Sequence, residues 1–388
     1  LLTAAAWAAP WPRHTIDDTS RGADGVRLTD VDGDGLLDIV TGWEEGGEVR
    51  IYQNPGPRRA KDPWPRAIVG RVRSPEDAVF VDLDADGTYE VVSSCEGRER
   101  TVFVHWPPGG GRNYWETEGW STTPVAPSRE RMQWMFAAPW DIDSRGGLDL
   151  FAGGKNASAE IGWFQIPGDP RRTSEWRWHP LRAVGWLMSL IPTDMDGDGD
   201  ADLLFSDRKG PHSGVYWMEN PGASRTARWK EHLVGGSGQE VMFVDQADLD
   251  GDGALDVLAA VRPREIHWYR RLDRSGMRWE KVVIRIPATA GTAKAVRAAD
   301  LDGDGRLEIV FSCERAQSDL EGVMYLSRSG PGNQSRSVHW APHSISGPEG
   351  IKFDLVQVLD LDGDGDLDVL TCEERTNLGV IWYENPRR

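Results

Sequence analysis

Seven repeats of about 55 residues, each with one acidic nonapeptide and four short strand signals, predict an all-β fold: a seven-bladed β-propeller of four-stranded antiparallel blades. The nonapeptide D-x-D-G-D-G-x-x-[DE] occurs at Asp30–Asp38, Asp194–Asp202, Asp248–Asp256, Asp300–Glu308 and Asp360–Asp368. A near match lies at Asp82–Glu90 and a degraded copy at Asp141–Asp149. The first aspartates are 52, 59, 53, 54, 52 and 60 residues apart, so seven units fill nearly all of the 388 residues and leave no room for a second domain.

Within a unit, an apolar run such as AVFVDLD precedes the acidic loop and a branched run such as LDIVTG follows it. An alternating aromatic strand comes next, as in GEVRIYQNPG, GVYWMENPG and GVIWYENPR. A fourth run opens on an aromatic residue: WPRHTI, WPRAIV, WKEHLV, WEKVVI. Short strands separated by Gly, Asn and Pro turns indicate antiparallel sheets. The chain starts on a fourth-strand element and ends on a third-strand element, so residues 11–16 are expected to complete the last blade and close the ring, hiding the sheet edges. Residues 315–349 and 107–131 read as long inserts.

Net charge is −18, from 44 basic and 62 acidic residues, which argues against a nucleic-acid partner. No stretch approaches the ~20 apolar residues of a membrane span. Three cysteines make no disulfide framework. Residues 1–10 read as a signal-peptide remnant or disordered N-terminus and 11–388 as a single propeller, which points to a secreted or periplasmic protein.

Carboxylates at positions 1, 3, 5 and 9 of a tight loop, with glycines to permit the turn, converge oxygens on a hard cation, and Ca²⁺ takes six to eight of them. Position 12 is Thr41 or Phe205 rather than Glu, which excludes an EF-hand. The motif resembles the FG-GAP or VCBS repeat, and that resemblance implies a calcium-binding propeller. The expected calcium ligands are Asp30, Asp32, Asp34 and Asp38; Asp82, Asp84, Asp86 and Glu90; Asp194, Asp196, Asp198 and Asp202; Asp248, Asp250, Asp252 and Asp256; Asp300, Asp302, Asp304 and Glu308; Asp360, Asp362, Asp364 and Asp368. Arg145 replaces the fifth-position acid of the third loop, so six structural Ca²⁺ are expected, which would leave a net charge of about −6.

Function is expected at the opposite face, where one turn per blade surrounds the channel. Six residues after each loop the ring reads Glu44, Glu96, Lys155, Arg208, Arg262, Glu314 and Glu374. Six residues before each loop it reads Asp24, Glu76, Met135, Met188, Met242, Lys294 and Asp354. Both rings are acidic on blades seven, one and two. Glu44, Glu96, Asp77, His212 and Glu374 are the candidate catalytic groups, with an additional catalytic metal among them as an option. Lys155, Arg208, Arg262, Lys294 and Lys352, with Trp134 and Trp186 for stacking, are the candidates for holding a carbohydrate or other anionic, polyhydroxylated ligand. A base beside a cation suits a polysaccharide lyase or sugar dehydratase; the alternative is a non-catalytic carbohydrate-binding or adhesion module. The turns GGEVRIYQNPG and GVYWMENPG are also similar to blade turns in the propeller portion of aldos-2-ulose dehydratase.

Overall fold

The computed structural model describes residues 9–109, 114–142, 147–222, 228–329 and 339–387. Their strands form seven four-stranded antiparallel sheets arranged as a propeller, and the helical turns among these residues are two short 3₁₀ segments, Pro57–Arg59 and Ala126–Ser128. Blade one runs outward from the axis as Ala23–Thr29, Asp38–Trp43, Glu48–Tyr52 and Arg66–Arg71, and blades two to six repeat that order. Second strands such as Asp38–Trp43 and Asp202–Asp207 are buried along their whole length because neighbouring blades cover both faces. This is why they read as unbroken apolar runs rather than alternating ones.

Blade seven is composite. Arg13–Asp17 pairs antiparallel with Gly379–Tyr383, beside Asp368–Glu373 and Phe353–Leu359. Gly379 has φ +76°, and a Cβ there would lie 2.0 Å from the Asp17 carbonyl oxygen, so only glycine admits the closing strand so closely. Asp17 then ties this strand to blade one: its buried carboxylate accepts from the Arg50 guanidinium at 2.6 Å and the Tyr52 hydroxyl at 2.9 Å.

Outer-strand histidines lie flat on third-strand aromatics: His14 on Trp382, His179 on Trp163, His232 on Trp217 and His343 on Tyr325, at 4.3–4.5 Å between ring centres. The supposed insert 315–349 carries the third and fourth strands of blade six, Val323–Ser329 and His339–Ser344. The fourth strand, HWAPHS, has its tryptophan second, whereas the runs WPRAIV, WKEHLV and WEKVVI open on theirs. The segment 107–131 supplies the short fourth strand of blade two, Ser121–Pro124.

Every inner strand carries a register shift against its second strand close to its start, for example between Asp24 and Arg27, Pro75 and Asp77, Trp134 and Phe136, and Leu187 and Ser189. Such bulges re-aim the side chain at the irregularity. The bulged residues include Glu76, Met135 and Met188, which all line the central pocket.

Asp17→Ala removes one of the two carboxylates on the buried Arg50, which keeps Glu48, and leaves the buried Tyr52 hydroxyl without its acceptor; it is expected to cost about 1–3 kcal/mol. The check is the denaturant midpoint of the purified variant; an unchanged midpoint would show that ring closure does not depend on this pair.

Candidate functional site

At the channel end where inner strands begin and second strands finish, side chains from all seven blades converge on a cavity of about 240 Å³. Asp24, Glu44, Glu76, Glu96 and Asp354 line it from blades one, two and seven, with Lys352 and Lys294 beside them. Lys155, Trp186 and Arg208 line the facing side from blades three and four, and Met135, Phe136, Met188 and Phe243 give it apolar wall. Deeper along the channel, Arg27 pairs with Asp77 at 2.9 Å and Arg297 with Asp245 at 2.6 Å, forming a layer of ion pairs beneath the pocket.

The carboxylate side is over-supplied with negative charge. Lys155 pairs with Glu96 and lies 3.3 Å from Glu76; Lys294 pairs with Asp354; Lys352 pairs with Glu374. Three ammonium groups therefore face Asp24, Glu44, Glu76, Glu96, Asp354 and Glu374. Burial, then repulsion from Asp354, Glu374 and Glu76, drives Asp24 well above the carboxylate range. Burial, then the neighbouring Glu96, pushes Glu44 up to about 7, and burial lifts Glu76 to about 8 against the pull of Lys155. Asp24, Glu44 and Glu76 each offer an oxygen within 4.8 Å of the other two, as do Asp24, Asp354 and Glu374. Charges so close are relieved by shared protons or by a cation.

The opposite side is cationic. Lys155, Arg208 and Lys209 stand over the Trp186 ring at 4.6, 4.6 and 4.2 Å from its centre. Asp207 holds this segment in place by accepting from the Trp186 amide at 3.0 Å and the Gly185 amide at 3.1 Å. Glu373 does the same for Ile351 and Lys352 in blade seven, both at 3.1 Å.

Several expected site residues fall elsewhere. Trp134 is fully buried in the blade-two/blade-three core, its indole donating to the Ser128 carbonyl, because the bulge turns Met135 into the pocket instead. Asp77 is spent on Arg27 below the pocket. His212 sits in the exposed turn before Gly214–Glu219 and borders a separate surface groove with Arg182 and Trp229. Arg262 lies behind the wall, paired with Glu240 at 3.0 Å and with Glu314. Phe136 and Phe243 carried no sequence signal beyond their position next to the ring methionines.

At the other face, the first aspartate of the loop accepts amides of the turn, as in blades one and four: Gly33 and Gly35 on Asp30 at 2.8 and 3.0 Å, Gly197 and Gly199 on Asp194 at 2.8 and 3.1 Å. Asp30, Asp32 and Asp38 gather oxygens within 4.8 Å, as do Asp82, Asp84 and Asp86, and Asp194, Asp196 and Asp202. Burial above all, with the neighbouring loop carboxylates adding to it, pushes Asp38, Glu90, Asp202, Glu308 and Asp368 up to about 7 in the absence of a cation. All-oxygen cages with uncompensated buried charge suit a hard divalent ion. Arg145 lies outside the described residues.

Glu44 and Glu76 keep their protons in the folded chain at pH values where the unfolded chain has lost them. Stability from these protons is present at low pH and falls as pH rises through about 7 to 8. In calcium-containing buffer the Glu44→Gln/Glu76→Gln variant should match the parent melting temperature at pH 5 and exceed it by a few degrees at pH 8.5, read by differential scanning fluorimetry. Parallel profiles would contradict the shifts.

The FG-GAP-like repeat family matches residues 11–93 and 248–311. A chain of the BBS1N–ARL6DN complex soaked with mercury superposes with a TM-score of 0.51 at 11% identity over 97% of both chains. A lectin from Agrocybe aegerita that recognises non-reducing terminal N-acetylglucosamine gives a TM-score of 0.48 at 19% identity, over 83% of this chain and 80% of that one. No curated protein matches the sequence. The chain is a seven-bladed β-propeller that carries FG-GAP-like repeats at residues 11–93 and 248–311.

Proposed function

We propose that the central pocket binds a carbohydrate bearing a carboxylate or carbonyl group and eliminates across it, as a lyase or dehydratase does. The reading is carried by one observation: near-neutral carboxyls on blades one and two face a Lys155–Trp186–Arg208 wall across a cavity of about 240 Å³. Arg208 and Lys209, held over Trp186, offer charge to the ligand's acidic group and to the enolate that forms from it.

An ionised carboxylate among Glu44 and Glu76 removes the proton next to that acidic or carbonyl group. The electron pair becomes the new C=C bond as the β C–O bond breaks, and a protonated neighbour gives its proton to the departing oxygen. Two carboxyls that titrate near pH 7 and share the excess charge of the arc can hold one proton between them, which is the state both halves of this step need. On this reading calcium in the acidic loops is structural, and the protein works outside the cytoplasm, where that ion is plentiful.

A second reading, a non-catalytic carbohydrate-binding module, draws on the ion pairs themselves. Lys155, Lys294 and Lys352 are each already matched with a carboxylate, which makes a rigid polar surface.

The two are separated by offering uronate-containing oligosaccharides and keto-sugars and following both binding, by calorimetry, and the absorbance of an unsaturated product. The lyase reading expects turnover that falls about 10²–10⁴-fold in Glu44→Gln or Glu76→Gln with folding intact. Binding without turnover by the parent protein would leave the binding module, and no binding by any of these ligands would remove both.

A further inference from the structure

We infer that the acidic loop of blade five is neutralised by guanidinium groups of the chain itself and takes up no Ca²⁺, although its motif is complete. The inference rests on reading the other loops as calcium sites.

Asp248–Asp256 reads D-L-D-G-D-G-A-L-D, and nothing within it departs from the pattern. The difference comes from the third strand of the blade, Glu265–Arg271. Arg270 pairs with the buried Asp250 and reaches Asp252 at 3.9 Å. The corresponding residues of blades one, four and seven are Gln53, Glu219 and Glu384, none of them a cation. Lys61 and Arg387 also approach the third-position acid of a loop, Asp362 at 3.0 Å and Asp302 at 3.2 Å. They do so from solvent, 46% and 54% exposed, whereas Arg270 is 29% exposed and its partner Asp250 1%.

The ninth acid is also held differently. In blades one, two, four, six and seven one of its oxygens accepts the amide of the loop's second residue, as Asp38 does from Val31 at 3.1 Å and Asp202 from Met195 at 2.9 Å. In blade five that oxygen of Asp256 takes the Trp268 indole N–H at 2.8 Å, and the other takes the Arg271 amide at 2.8 Å.

A second guanidinium adds its charge. Arg328 lies between the Trp268 and Trp340 rings, 5.1 Å from each, and its buried nitrogens have no hydrogen-bond partner among the described residues. Asp250 and Asp256 are the foremost charges acting on it. Arg270 pairs with the loop directly, and Arg328 adds a second positive charge from across the Trp268 ring whose indole holds Asp256.

The test is the number of Ca²⁺ bound per chain, counted by native mass spectrometry on calcium-saturated protein and its variants. Asp250→Asn should leave the count unchanged, Arg270→Gln should raise it by one, and Asp196→Asn in blade four should lower it by one. A count that falls by one in Asp250→Asn, or stays fixed in folded Arg270→Gln, overturns the inference. A count unchanged by Asp196→Asn overturns the calcium reading on which it stands.

Discussion

Each blade turns on a carboxylate that has no business being buried. The ninth acid of the loop starts the second strand, out of water, and in five blades it accepts the amide that follows or ends the third strand: Asn54 on Asp38, Ile166 on Asp149, Asn220 on Asp202, Arg271 on Asp256 and Asn385 on Asp368. One side chain thereby fixes the inner–second turn against the third strand. Its charge must be answered, because an ion taken out of water costs several kcal/mol unless it is paired.

That requirement divides the labour between the two ends of the ring. One end gathers acids around the turns and calls for cations, from solution or, in blade five, from Arg270 and Arg328. With the turns fixed there, the other end is free to vary from blade to blade, and it does: acidic on blades seven, one and two, cationic and aromatic on three and four. A ring of near-identical frames thus presents a pocket with no rotational symmetry.

The pocket also explains why charge is tolerated at the axis. Lys155, Lys294 and Lys352 offset half of the six carboxylates around them, and protons on Asp24, Glu44 and Glu76 can offset the rest. Below, Arg27–Asp77 and Arg297–Asp245 close the channel with pairs that leave no charge over. Excess charge is confined to the layer that faces the cavity.

The sequence by itself determined the ring: a repeat near 55 residues, four strand signals per repeat and a chain that begins one strand out of phase leave one closure, and the strand pairing Arg13↔Tyr383 follows from it. It also placed Glu44, Glu96, Lys155 and Arg208 on one rim, because equal spacing from an aligned loop means equal height in the ring. It did not settle which of two adjacent residues faces the axis. Trp134, seven residues before its loop, is core like its equivalent Leu187, while Trp186, eight residues before its own loop, lines the pocket. Nor did it show that Asp77 would be taken by Arg27, or Asp250 by Arg270 twenty residues on, since such pairs depend on which strands lie side by side and not on any local pattern.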